Sequence, residues 1–146
     1  MRPFPTQWAV GHTLGFEVRV RPIIREGKTG RERDAFLAAV EKAQGSALDR
    51  GEVYVRWLRD LLARQGGAEL VDARMTRYQQ LGVTRRGQKG SADEARHSRL
   101  VNGPDAVLAG QLRVTNPEAF AQLLANGLGR HRAFGFGLLL LRPARG

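Results

Sequence analysis

The sequence contains no cysteine. That excludes thiol catalysis, cysteine-ligated zinc and disulfides, and it is compatible with a reducing cytoplasm. Aromatic residues make up only 7% of the 146 positions, so aliphatic side chains must fill most of any core. Long apolar runs are missing as well. Stretches such as Leu138 to Leu141 fall far short of the ~20 residues a spanning helix needs. No long segment is basic on one helical face and apolar on the other, so a membrane is not expected as a partner. The start, Met1-Arg2-Pro3-Phe4-Pro5, lacks the apolar core of a signal peptide. Acids are scarce: 14 Asp and Glu stand against 24 Lys and Arg, for a net charge of +10. So large an excess points to a polyanionic partner, most simply nucleic acid. A hydrophobic content of 42% at this length fits a single globular domain.

What is present is organised by periodicity. Residues 1–13 are rich in Pro, Gly and polar groups and read as a lead-in or inter-domain linker. From Leu14 to Ile24 the residues alternate, with Phe16, Val18 and Val20 on one side and Glu17, Arg19 and Arg21 on the other, which predicts a strand with one buried face. Pro22 then limits pairing. Residues 25–51 are polar and punctuated by glycine and read as an insertion, within which Arg33 to Lys42 has the spacing of a short helix. Glu52 to Arg64 is the clearest helix, with Tyr54, Trp57, Leu58, Leu61 and Leu62 on one stripe, stopped by Gly66-Gly67.

Ala68 to Leu81 reads as a long polar strand with Val71, Ala73 and Met75 toward the core and Arg74, Thr76 and Tyr78 away from it. Residues 82–103 carry no core pattern and form a basic loop or hairpin. Ala106 to Thr115 alternates again. Asn116-Pro117-Glu118 is a helix start, in which Asn caps, Pro suits the first position and Glu complements the dipole. Phe136 to Leu141 is a final apolar strand. The order β-α-β-β-α-β predicts an α+β, ferredoxin-like (RRM-like) domain over 14–146, a four-stranded antiparallel sheet with two helices on one face.

Short patterns that resemble chemistry are mostly weak. Gly27-Lys28-Thr29 looks like the end of a P-loop, but Pro22 stands where the first glycine belongs. His12, His97 and His131 have no ligand partners at metal spacing. No metal or cofactor is expected. The strongest pattern is a glycine-rich turn between the last helix and the last strand, with Gly127, Gly129, Gly135 and Gly137 around Arg130, His131 and Arg132. Glycines free the backbone to expose N–H groups, and two cations among them favour a phosphate contact. The stretch Arg74 to Arg99 carries seven Lys or Arg residues, as an arm that follows an RNA helix would. Arg19 and Arg21, pointing outward from the first strand, are expected to join the same surface.

The turn Gly-Leu-Gly-x-x-Arg-Ala-Phe-Gly-Phe-Gly-Leu-Leu, from Gly127 to Leu139, resembles the C-terminal signature of the repeat-associated RNA-binding (RAMP) proteins of CRISPR systems, in the form found in the CasE family, the endoribonuclease of type I-E Cascade. Phe16 to Pro22, Gly30 to Leu37 and Tyr54 to Leu58 are similar to the family as well. The resemblance covers roughly residues 10–143. It implies two ferredoxin-like domains in tandem, binding of the CRISPR repeat stem-loop RNA, and metal-independent cleavage by an N-terminal His and Tyr. This sequence starts where the second domain starts, so no residue here is expected to be catalytic. Other Cascade subunits are the expected protein partners, and either the gene is truncated or misannotated at its start or another, separately encoded chain supplies the N-terminal domain. The RNA-binding positions that carry over are Arg130 and Arg132, the glycines of the turn, and the basic hairpin residues Arg85, Arg86 and Lys89. The competing reading is a non-catalytic RRM-like RNA-binding module unrelated to CRISPR, although the usual RRM aromatics are missing and only Tyr78 and Phe136 are candidates for them.

Overall fold

The computed structural model describes residues 9–26, 31–44, 47–81, 103–129 and 135–143. In chain order the elements are β1 (Thr13–Val20), β2 (Ile23–Glu26), β3 (Arg31–Asp34), α1 (Ala35–Ala43), α2 (Arg50–Gln65), β4 (Ala68–Leu81), β5 (Gly103–Val114), α3 (Pro117–Asn126) and β6 (Leu139–Pro143). The main sheet has the order β4-β5-β1-β6 with every neighbouring pair antiparallel. Each helical crossover therefore skips one strand, which is the ferredoxin-like arrangement. No helix among the described residues is long and apolar enough to cross a membrane.

The core follows from the alternation. Leu14, Phe16, Val18 and Val20 of β1 and Ala106, Leu108, Leu112 and Val114 of β5 are buried against Tyr54, Leu58 and Leu62 of α2 and Phe120 and Leu123 of α3. The helix ends are set by their caps. The Asn116 side chain accepts from the Ala119 N–H at 3.1 Å, with Pro117 at the first position of α3. The Asp49 carboxylate accepts from the Glu52 N–H at 2.9 Å, so α2 begins at Arg50, earlier than its apolar stripe indicates.

Three local expectations change. The strand expected over Leu14 to Ile24 ends at Val20, Ile23–Glu26 forms β2 and pairs with β3 of the insertion, and the helix there starts at Ala35, after Arg33 has been used in β3. Asp34 causes the switch, because its side chain caps α1 by accepting from the Phe36 N–H at 2.8 Å. In β4 the simple alternation fails. The register slips between Leu70 and Asp72 and again between Met75 and Arg77, and each bulge reverses which side chains face the core. Val71 is consequently exposed, Leu70 is buried, and Tyr78 turns to the helix side, its ring 6.2 Å from that of Tyr54. Gly110 makes room for the first bulge, since a Cβ there would lie 2.1 Å from the Asp72 carbonyl oxygen. Finally, β6 begins at Leu139 and not at Phe136.

Candidate nucleic-acid interface

At the end of β1 the chain gathers two arginines around one aromatic ring. The Arg19 guanidinium carbon lies 4.7 Å and that of Arg21 5.0 Å from the centroid of Phe136, which is itself buried. Contact with an aromatic face offsets part of the cost of holding a guanidinium near an apolar surface. Arg19 points out of the sheet, opposite the helices, and meets Asp105 of β5 in a two-pronged pair: Nε to Oδ1 at 2.8 Å and Nη2 to Oδ2 at 2.7 Å. Gln79 Nε2 donates to Asp105 Oδ2 at 2.8 Å. Asp105 is buried while the Arg19 side chain remains 44% exposed, so the arginine is oriented and still accessible. Its hydrogen bond to Asp105 raises the Arg19 pKa, with burial opposing.

Arg21 corrects the sequence reading. It lies past the end of β1, is only 4% exposed, and packs against Gly103 rather than standing on the open sheet face. Burial pushes its guanidinium down from the ordinary value, and the charges of Glu32 and Asp105 partly restore it.

The glycine-rich segment docks beside this cluster. Gly127, Gly129, Gly135 and Gly137 all have positive φ, between 73° and 88°. The Gly137 N–H donates to the Arg19 carbonyl at 2.7 Å, and the Gly137 carbonyl accepts from the Leu128 N–H at 2.8 Å. The two arms of the bend are thus tied to each other and to β1, which is why strand pairing is delayed to Leu139. At Gly137 a Cβ would stand 2.0 Å from the Leu128 carbonyl oxygen. Gln65, at the end of α2, accepts from the Gly129 N–H at 3.2 Å. Gly135 is exposed beside Arg19, whose Nη1 would lie 3.8 Å from a Cβ at that glycine.

Of the sequence-derived candidates, the structure brings together Arg19, Arg21, Gly127, Gly129, Gly135 and Gly137. Arg85, Arg86, Lys89, Arg130, His131 and Arg132 lie outside the described residues. Among the described residues no group of His, Cys, Asp or Glu is placed to hold a metal ion. Sequence reasoning missed Asp105. Its signal was an acid in a mostly apolar alternating strand, at a position that meets Arg19 only through the β1–β5 register.

The pair has a pH signature. Burial alone pushes the Asp105 carboxyl up, but hydrogen bonds from Arg19 and Gln79 and the charges of Arg19 and Arg21 outweigh it, and the net shift is downward. A depressed carboxylate contributes stability that is complete above its unfolded value of about 3.9 and is lost as pH falls through the lower folded value. Asp105→Asn is therefore expected to reduce the loss of stability between about pH 6 and about pH 3, read from urea midpoints. Equal losses in both proteins would show that the pair contributes nothing.

The family model described as "CRISPR associated protein" matches residues 1–143. No curated protein matches the chain. Among solved structures, Cse3 of Thermus thermophilus bound to an RNA representing a pre-cleavage complex is 25% identical with a TM-score of 0.67, covering 97% of this chain and 59% of its own. The CRISPR endoribonuclease Cse3 bound to a 19-nucleotide RNA is 26% identical with a TM-score of 0.69, covering 97% and 61%. Cas6e of Escherichia coli K-12, 20% identical with a TM-score of 0.59 over 97% of this chain and 66% of its own, shares the fold. The chain thus spans about 60% of the length of the two Cse3 chains. With the glycine-rich bend, the basic balance and the ferredoxin-like topology in agreement with a match along nearly its whole length, the chain belongs to the CRISPR-associated protein family.

Proposed function

We propose that this chain binds the stem-loop of CRISPR repeat RNA, as the C-terminal, RNA-holding half of the endoribonuclease that processes precursor CRISPR RNA in a Cascade complex. Other Cascade subunits are its protein partners in this reading. The observation that carries it is Arg19, oriented by Asp105 over Phe136 and still 44% exposed, beside the exposed Gly135 of the bend. An oriented, accessible guanidinium on so basic a chain suits a phosphate backbone, while the N–H groups of Gly127, Gly129 and Gly137 are spent inside the protein and offer no anion contact. The two Cse3 structures contain bound RNA, which supports the same partner here. An RRM-like module unrelated to CRISPR is disfavoured, because Tyr78 faces the helices and Phe136 is buried, so neither aromatic is free on the open sheet.

The test is a salt titration of binding to a repeat hairpin and to an unrelated single strand. The hairpin is expected to bind more tightly, with a steep salt dependence. Arg130→Ala combined with Arg132→Ala should weaken binding and lower the slope of log K against log salt by roughly 1.5 to 2. Equal affinity for both RNAs, or an unchanged slope, would overturn the proposal.

A further inference from the structure

A second basic surface lies on the other side of the bend, between α2 and the β2–β3 hairpin. It is a cleft of about 550 Å³, within the range of about 300–1,000 Å³ typical of small-ligand sites. Arg21 lines its inner end, Arg25 and Arg64 stand at its rim, and Gly129 and Gln65 border it on the side of the bend. Arg25 and Arg64 are exposed. Trp57, Leu61, Ile23 and Ile24 form its apolar part. The Trp57 indole is fixed by a hydrogen bond from Nε1 to the Ile23 carbonyl at 3.1 Å, and Ile24 is 39% exposed. Among the described residues the lining carries three guanidiniums and no carboxylate.

This mixture distinguishes its ligand. A paired stem presents only phosphates and sugars to a groove of this kind, and for that an apolar floor has no use. An unpaired nucleotide presents an apolar base face together with its phosphate, and single-stranded segments are held by that combination of apolar platform and cationic rim. We infer that the cleft between α2 and the β2–β3 hairpin binds an unpaired nucleotide flanking the RNA stem, its base on the Trp57 and Leu61 side and its phosphate on Arg25 and Arg64. The inference rests on the RNA-binding reading above and adds a subsite to it. Gly129 belongs to both surfaces, so a strand leaving the bend reaches the cleft without crossing the domain.

The test compares a blunt repeat hairpin with the same hairpin carrying a short unpaired extension, placed at either end in turn. Wild-type chain should bind one extended hairpin roughly tenfold more tightly than the blunt one. Arg25→Ala with Arg64→Ala should abolish that increment, lower the salt slope for the extended RNA by about 1.4, and change blunt-hairpin affinity by about twofold or less. An extension that adds nothing in the wild type, or a variant equally weakened for both RNAs, would overturn the subsite while leaving stem binding intact. Failure of the wild type to bind either hairpin would instead remove the RNA reading and the subsite with it.

Discussion

Gly137→Ala should cost the domain roughly 3 kcal/mol or more and abolish the RNA binding proposed for it. Two causes act at once. The residue sits at φ 88°, where an L side chain is strained by about 1–2 kcal/mol. In addition, the new Cβ would fall 2.0 Å from the Leu128 oxygen and 2.9 Å from the Leu128 nitrogen. Both obstructing atoms are backbone, and the Leu128 nitrogen is already engaged by the Gly137 carbonyl. Relief therefore requires the two arms of the bend to part, breaking the link from Gly137 to the Arg19 carbonyl and shifting Phe136 from beneath the arginines. Gly135→Ala is the internal control. Its φ is also 88°, but among the described residues its Cβ would meet only the flexible end of Arg19 at 3.8 Å, so about 1–2 kcal/mol is expected. Urea denaturation of both variants decides the matter. If they lose the same stability, the close backbone approach at Gly137 is not a constraint.

The second large effect lies away from the proposed RNA surface. Asp34→Ala should destabilise by about 3 kcal/mol, lowering the Tm by roughly 10 °C. Asp34 is 7% exposed. Its Oδ1 accepts from the Tyr54 hydroxyl at 2.7 Å and from the Phe36 N–H at 2.8 Å, and its Oδ2 accepts from Arg50 Nη1 at 2.8 Å. One carboxylate thus ends β3, caps α1 and anchors both to α2. Burial, followed by the bond to Asp34, pushes the Tyr54 hydroxyl well above its ordinary value, so it stays a donor. Arg50 is itself packed against Phe36 and Tyr78, 4.3 Å and 4.4 Å from their centroids. Removing the acid leaves this half-buried cation without its carboxylate, which costs far more than losing a surface pair. Arg113→Ala supplies the contrast. It breaks the exposed pair with Glu69 and should change stability by less than about 1 kcal/mol. Comparable losses in the two variants would show that the Asp34 cluster is no more than another surface pair.

Where an element's pattern is local, the chain could be read directly. Alternation along β1 and β5, the stripe on α2 and the Asn116-Pro117-Glu118 start of α3 each encode their own burial, because periods of 2 and 3.6 map straight onto one buried face. The glycine spacing of the bend was legible for the same reason: positive φ is a property of single residues, and only glycine takes it freely. Reading failed where a neighbour in space set the outcome. The bulges at Val71 and Thr76 arise from pairing with β5 and reverse the faces of Val71 and Tyr78.

The amino-acid sequence by itself determined the number and order of the main strands and helices, the basic balance and the glycine-lined bend, since these depend on residues close along the chain. Only the tertiary structure decided that Arg19 is held by Asp105, that Phe136 lies beneath two guanidiniums, and that Arg25 and Arg64 frame a cleft with Trp57. Apart from Trp57 and Arg64, which share α2, those partners lie far apart along the chain, and their meeting depends on sheet register and helix packing, which no local pattern records.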